Sequence, residues 1–303
     1  MKRQKKDSSF TFAFLLFNFA LMKYWQTSRR KLSFERPLVM GILNVTPDSF
    51  SDGGRFDSTD PALRRAEEMI AEGVDIIDVG GESTRPGSER ISVQVEIERV
   101  VPVIEAMAKK FETPISIDTS KSKVAEAATA AGAEIINDIS GMRFDERITE
   151  IAAKNNSGLV LMHSRGDFEA MHSQPEVEDI FADVTADFNR SLSAARTAGI
   201  MDEQIVLDVG IGFGKTQEQN VELIAKIGRL IGVFPNYPFL VGASRKSFIG
   251  KLLGVPIASD RLNGSLAAAA IAAWNGAKIL RVHDVRATVE VVKMVSAFAR
   301  TRN

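Results

Sequence analysis

The chain of 303 residues contains no cysteine. Disulfide frameworks, thiolate metal sites and cysteine nucleophiles are therefore excluded, and a reducing cytoplasm suits the composition. Charge imbalance is also missing: 38 Lys and Arg stand against 39 Asp and Glu, a formal net charge of −1. No global field draws in nucleic acid or an anionic membrane, so any anion site must be local. Histidine is scarce, with three in the chain and no pair at i, i+4 spacing, which argues against a structural zinc site. There is no G-x-S-x-G elbow for a serine triad. No linker or low-complexity stretch divides the chain, so a single domain is expected.

A long apolar run is nearly absent as well. The one candidate lies at the N-terminus, where a basic MKRQKK precedes residues 10–22, apolar apart from Thr11 and Asn18. It opens like a secretory signal but is short of the ~20 residues of a membrane span, and no small-residue cleavage site follows. Two readings stand: a signal or anchor, or an upstream addition to a chain that starts at Met22. Residues 1–36 are set aside as an extension and lead-in, in part non-native or disordered. Neither a membrane nor a nucleic-acid partner is expected.

From residue 37 one pattern repeats. A short apolar, β-branched run leads into a loop rich in Gly, Asp, Ser or Thr and then into a stretch of helical period. The runs are 38–43, 75–79, 115–118, 134–137, 159–162, 205–209, 239–242 and 279–282. They are continuously apolar, as parallel strands buried on both faces require. Helices are expected over 62–71, 93–110, 121–131, 146–154, 180–198, 218–227, 261–274 and 285–300. Asp60 and Pro61 supply an N-cap and first-turn proline for the first of them. Glycines at 73, 132, 199 and 276 fit helix C-termini. This alternation predicts an α/β fold, a single-domain (β/α)8 TIM barrel over 37–303, with a doubly wound open sheet as the alternative.

The polar segments each follow the C-terminal end of a strand, the catalytic end of such a barrel. After the first strand comes NVTPDSFSDGG (44–54), which could act as a lid. Asn44 at the strand tip could offer an oxygen to a hard cation such as Mg2+, or the segment is an ordinary series of Asx and Ser turns. After the second comes GGESTRPG (80–87), whose Thr84 and Arg85 could hold phosphate or could be a glycine turn with a solvent-facing arginine. Asp118 and Asn137 end the third and fourth strands; they could read a heterocycle, or cap the next helices, the reading preferred for Ser120 and Ser140. His163 follows the fifth strand, and His172 reads as a surface loop residue. The sixth strand runs into DVGIGFGKT (208–216). It lacks the P-loop spacing, because position 209 is Val209, and lacks G-x-G-x-x-G, because position 215 is Lys215. The loop instead aims Asp208 and Lys215 at one pocket, with Phe213 as a flat wall. Arg245 and Lys246, beside a helix start, offer an anion site. Arg281 and His283 alternate and share a face.

Taken in series, the segments 41–54, 80–87, 117–121, 137–141, 161–166, 208–216, 242–250 and 281–284 resemble the bacterial dihydropteroate synthases, over roughly residues 37–300. The resemblance implies condensation of 6-hydroxymethyl-7,8-dihydropterin diphosphate with 4-aminobenzoate. It also implies a magnesium cofactor, a cytoplasmic homodimer joined through outer helices, and a sulfonamide target. It assigns Asp118, Asn137, Asp208 and Lys215 to the pterin, with Met162 and Phe213 packing near the ring. It gives Asn44, Arg281 and His283 to the diphosphate, with Mg2+ on Asn44. It gives Thr84, Arg85 and Pro86, with Phe50, Lys246 and Ser247, to the 4-aminobenzoate site, and Gly242 to the substrate site as a whole. Asp118, Asp208, Lys215, Arg281 and His283 would carry the chemistry. Two rivals remain: a methyltetrahydrofolate-dependent methyltransferase, which needs no diphosphate site, and a non-catalytic binding paralogue.

Overall fold

The computed structural model describes residues 22–46, 59–85, 87–171 and 174–301. After a short N-terminal pair, β1 (Tyr24–Gln26) and β2 (Lys31–Ser33), eight parallel strands close into a barrel in chain order. They are β3 (Leu38–Asn44), β4 (Ile76–Gly80), β5 (Ile115–Asp118), β6 (Ile135–Asp138), β7 (Gly158–Met162), β8 (Ile205–Asp208), β9 (Phe239–Val241) and β10 (Ile279–Val282). Closure comes from β10, which pairs with β3 on one side and β9 on the other. Each strand is followed by at least one helix. These are α1 (Thr59–Glu72), α2 (Val93–Lys110), α3 (Ser122–Ala131), α4 (Ile148–Asn155) and α5 (Ile180–Thr197). The second half adds α6 (Gln217–Ala225), α7 (Gly228–Val233), α8 (Ser247–Leu253), α9 (Leu262–Trp274) and α10 (Val285–Arg300). The expected TIM barrel is the observed fold, and the open sheet is excluded because the last strand, β10, pairs with the first, β3, as well as with β9.

Strand alternation divides the core into two. Outward side chains such as Val39, Ile77, Ile117, Ile136, Leu161 and Leu207 pack under the helices. Inward ones at the N-terminal end, among them Met40, Ile76, Ile135, Val160, Val206 and Ile279, fill the barrel floor. Two residues further along, the inward position turns polar on four of these strands, at Asp78, Asn137, Asp208 and Arg281, and Asp118 joins them on β5, whereas β3 and β7 carry Ile42 and Met162 there. Period-two alternation thus places an apolar floor beneath a polar mouth.

Several boundaries moved. The first helix starts at Thr59, so Asp60 and Pro61 lie inside it. The stretch 218–227 yields α6 and is followed by the separate α7. Helix α8 begins beside Lys246, where a helix start was expected, and runs only to Leu253. At Gly132 the backbone has φ 124°, and an added Cβ would lie 2.6 Å from Ala108, so the glycine stop of α3 is required twice over.

The expected lead-in contains structure. β1 (Tyr24–Gln26) and β2 (Lys31–Ser33) form an antiparallel hairpin. Trp25 is fully buried in the barrel-floor cluster, and its indole donates to the Gln204 carbonyl at 2.7 Å. Arg30 grips Glu134 with bonds of 3.0 and 2.7 Å. The hairpin therefore plugs the N-terminal end of the barrel, opposite the polar mouth. Residues 1–21 lie outside the described residues. Among the described residues no helix is long and apolar enough to cross a membrane.

Candidate active site

Register sets the mouth. Asn44 pairs with Gly80, Gly80 with Asp118, and Asp118 with Asn137, so four neighbouring strands end level. Met162 is level with Asp208 on the next pair. The residues expected at the strand tips are therefore brought together.

Their centre is a residue that the sequence reading passed over. Asp78, fully buried, accepts from Arg281 Nε at 2.6 Å and from Asn137 Nδ2 at 3.0 Å. Arg281 Nη2 also donates to Asp118 at 2.5 Å. One guanidinium thus joins two carboxylates and, through Asp78, an amide. Asp78 carried a signal: a lone carboxylate in an otherwise apolar strand (IIDVG) must find a partner when buried. Burial, opposed by Arg281 and reinforced by Asp78 and Glu96, pushes the Asp118 carboxyl up to about 7.

Across the mouth, the buried Asp208 accepts the Gly210 N–H at 2.8 Å, and burial raises its pKa. Lys215 differs from a free pocket cation. Its ammonium donates to the carbonyls of Gly210 (2.8 Å), Phe213 (3.0 Å) and His163 (3.4 Å), bracing the loop on which Asp208 depends. Burial lowers its pKa to about 7. Phe213 packs with Ile139, Met162, Phe168 and Met171, an apolar wall beside the carboxylates. Lys246 Nζ lies 4.1 Å from the Phe213 ring centroid, and its pKa falls to about 8, first through burial and then through Arg281.

The anion site expected from adjacent Arg245 and Lys246 is corrected. Arg245 turns away in a left-handed conformation (φ 59°) and binds Asp284 at 3.1 and 2.5 Å, so of the two only Lys246 reaches the mouth. The glycine beside it, Gly242, backs onto the Arg281 side chain. Ser247 is exposed at the start of α8. His283 Nδ1 faces Ser244 Oγ at 3.1 Å, and that oxygen also accepts the His283 backbone N–H. Burial and the nearby Arg245 and Arg281 lower the imidazole to about 3, so it is neutral near pH 7. It can offer a hydrogen bond to an anion but not a charge.

Thr84 and the exposed Arg85 sit on the loop after β4. Phe50, Pro86 and His172 lie outside the described residues. Ser120 caps nothing: the N-cap of α3 is Lys121, the Ser122 N–H at the start of that helix donates to Asp145 at 3.0 Å, and the buried Ser120 hydroxyl finds no protein partner among the described residues. Ser140 does act locally, donating to Asp138 at 2.7 Å and accepting the Phe144 N–H at 3.3 Å. His163 is buried behind Lys215 against Asp183 at 3.2 Å, and burial lowers it to about 4.

Comparison with known proteins agrees with this geometry. The family described as pterin binding enzyme matches residues 40–283. The Escherichia coli (strain K12) dihydropteroate synthase is 48% identical over 266 residues, covering 88% of this chain and 93% of that one. A Xanthomonas albilineans dihydropteroate synthase solved with 4-aminobenzoic acid superposes with TM-score 0.86 at 41% identity, over 92% of this chain and 98% of that one. The Yersinia pestis enzyme in complex with a sulfonamide drug gives TM-score 0.85 at 44% identity, over 91% and 99%. Together with the barrel mouth, these similarities show that the chain belongs to the dihydropteroate synthase family of pterin-binding enzymes.

Proposed function

We propose that the chain joins the methylene carbon of 6-hydroxymethyl-7,8-dihydropterin diphosphate to the amine of 4-aminobenzoate, giving 7,8-dihydropteroate and diphosphate. One observation carries the reading: the half-buried Asp118 and the buried acceptors Asn137 and Asp208 line the same mouth as the cations Arg281 and Lys246. A fused ring edge of amino and N–H donors suits the first set, and a phosphorylated side arm suits the second. Asn137 gives one N–H to Asp78, which leaves its carbonyl oxygen for a ligand donor. Asp208 keeps one oxygen beyond its bond to Gly210.

In the reaction the bond from the pterin methylene to the diphosphate oxygen breaks, and its electron pair leaves with the diphosphate. The neutral amine forms the new C–N bond and then loses a proton to solvent. Positive charge develops on the pterin, where Asp118 and Asp208 favour it; negative charge develops on the leaving group, where Arg281 favours it. His283 adds a hydrogen bond: Ser244 already accepts a backbone N–H, so its own proton can go to Nδ1, leaving the ring proton on Nε2. Holding both substrates in one mouth can supply up to ~7–11 kcal/mol of the barrier reduction. No protein nucleophile is required.

Asn44 is the residue that would hold Mg2+. A single protein oxygen fits an ion that keeps several waters and takes the rest of its shell from substrate phosphates. When bound, Mg2+ would neutralise charge on the departing diphosphate. A homodimer is supported by exposed apolar side chains on adjoining elements: Leu252 and Leu253 of α8, Ile271 of α9, and Met294 and Phe298 of α10. A cysteine-free chain suits the cytoplasm. A coupled assay for diphosphate release tests the reaction. Release should need both substrates, and its absence with both present overturns the reading.

A further inference from the structure

Outside the catalytic mouth the chain buries three more charges in one place. Lys121 Nζ donates to Glu82 Oε1 at 2.7 Å, Glu96 Oε2 at 2.6 Å and the Ile91 carbonyl at 2.9 Å, which uses all three of its protons. Glu82 Oε1 also accepts the Ile91 N–H at 2.7 Å. The side chains of Lys121, Glu82 and Glu96 are 8%, 7% and 0% exposed. One ammonium and one carboxylate therefore tie together both ends of the loop 82–91. The stem is fixed to α2 as well: Arg99 Nη1 donates to the Gly81 carbonyl at 2.8 Å, and a Cβ at Gly81 would lie 2.7 Å from Val100. Nearer the tip, Ser83 and Ser88 hydroxyls meet at 2.8 Å, and the Ser88 N–H reaches the Arg85 carbonyl at 3.0 Å. Thr84 and Arg85 stand on this closed stem.

A buried ion set of this kind adds little net stability over apolar side chains of the same volume; its use is to fix geometry. Its location gives it something to fix. Lys121 follows three residues after Asp118, so one short segment places a carboxylate in the mouth and an ammonium in the neck of the neighbouring loop. We propose that Glu82, Lys121 and Glu96 form a latch that closes the neck of the 82–91 loop, and that these positioning residues thereby set where Thr84 and Arg85 meet 4-aminobenzoate. The inference rests on the proposed reaction, with the pterin held separately at Asp208 and Asn137.

The test compares Glu82→Ala, which removes the shared oxygen, with Glu82→Gln, which keeps a carbonyl oxygen for Ile91 and Lys121. Glu82→Ala should raise KM for 4-aminobenzoate roughly tenfold or more by adding an ordering cost to that step alone. Its dissociation constant for the pterin diphosphate should stay within about twofold, because that substrate does not depend on the loop. Amide hydrogen exchange should quicken over 83–91 and nowhere else, and Glu82→Gln should restore most of both effects. Lys121→Met should act in the same direction; if it does not fold, the Glu82 pair still decides. An unchanged KM for 4-aminobenzoate, or equal losses for both substrates, overturns the latch. Wild-type diphosphate release reports separately on the reaction itself.

Discussion

Asp78 and Arg281, on strands at opposite ends of the sequence, meet at 2.6 Å in a closed contact in which the carboxylate is fully buried. The same oxygen takes a second bond from Asn137. Asp78→Asn removes the charge and puts an amide where two donors already point. Breaking a buried pair from one side typically costs about 3–5 kcal/mol, and Asp118 remains to hold Arg281, so about 3 kcal/mol is expected. Urea denaturation of the ligand-free protein measures this. A midpoint equal to wild type would mean that Asp78 is not the centre of the network.

Asp208→Asn addresses the opposite wall. Its carboxylate has one oxygen on Gly210 and one to spare for paired donors of a pterin edge. An amide in its place turns one acceptor into a donor facing donors. The loss expected in pterin affinity is on the order of 2–5 kcal/mol, the range for removing one side of a buried, charge-assisted contact. Calorimetry with the pterin alone is the measurement, and near-wild-type affinity would take Asp208 out of the pterin site.

How much of this was legible in advance depended on the length scale of the signal. The eight strands stood out because each is a largely apolar run followed by a glycine or polar turn, and the strand-end positions of Asp118, Asn137, Asp208 and Arg281 followed directly. Partners were not legible. Whether Arg245 faces an anion or Asp284 depends on a left-handed backbone at residue 245 and on a contact 39 residues away. Lys215 looked like a free pocket cation because two of its carbonyl partners, Gly210 and Phe213, belong to a loop conformation that no spacing encodes, and the third, His163, lies 52 residues away. The β1–β2 hairpin was missed for a related reason. Its strands have three residues each, and its one strong determinant, Trp25, only acquires meaning once the barrel floor exists.

Asp118 should shape the pH dependence of stability. Its folded-state carboxyl titrates at about 7, well above an unperturbed aspartate near ~3.9. Between those values the native state holds a proton that the unfolded chain releases, so stability falls as pH rises through that window. The slope from this single group is at most about 1.4 kcal/mol per pH unit. Denaturation curves of the ligand-free protein between pH 4.5 and 7.5 should therefore be shallower in pH for Asp118→Asn than for wild type. Identical slopes would mean that Asp118 is ionised throughout and that Arg281 outweighs its burial.

Trp25 allows the two ends of the barrel to be separated experimentally. Its ring fills the floor against Met40, Ile76, Ile135, Val160 and Val206, and Gly158 makes room for it: an added Cβ there would lie 3.1 Å from the indole. Trp25→Ala should cost about 3–5 kcal/mol, as for other large aromatic truncations in a packed core. The floor lies beneath the polar layer rather than in it, so KM for both substrates and kcat should stay within about threefold at temperatures where the variant is folded. Deleting residues 1–21 should leave stability and turnover unchanged, because the plug begins at Tyr24; deleting 1–36 should reproduce and exceed the Trp25→Ala loss. A folded Trp25→Ala protein with turnover reduced a hundredfold would show that the hairpin acts on the chemistry, and the assignment of the two barrel ends to stability and catalysis would have to be given up.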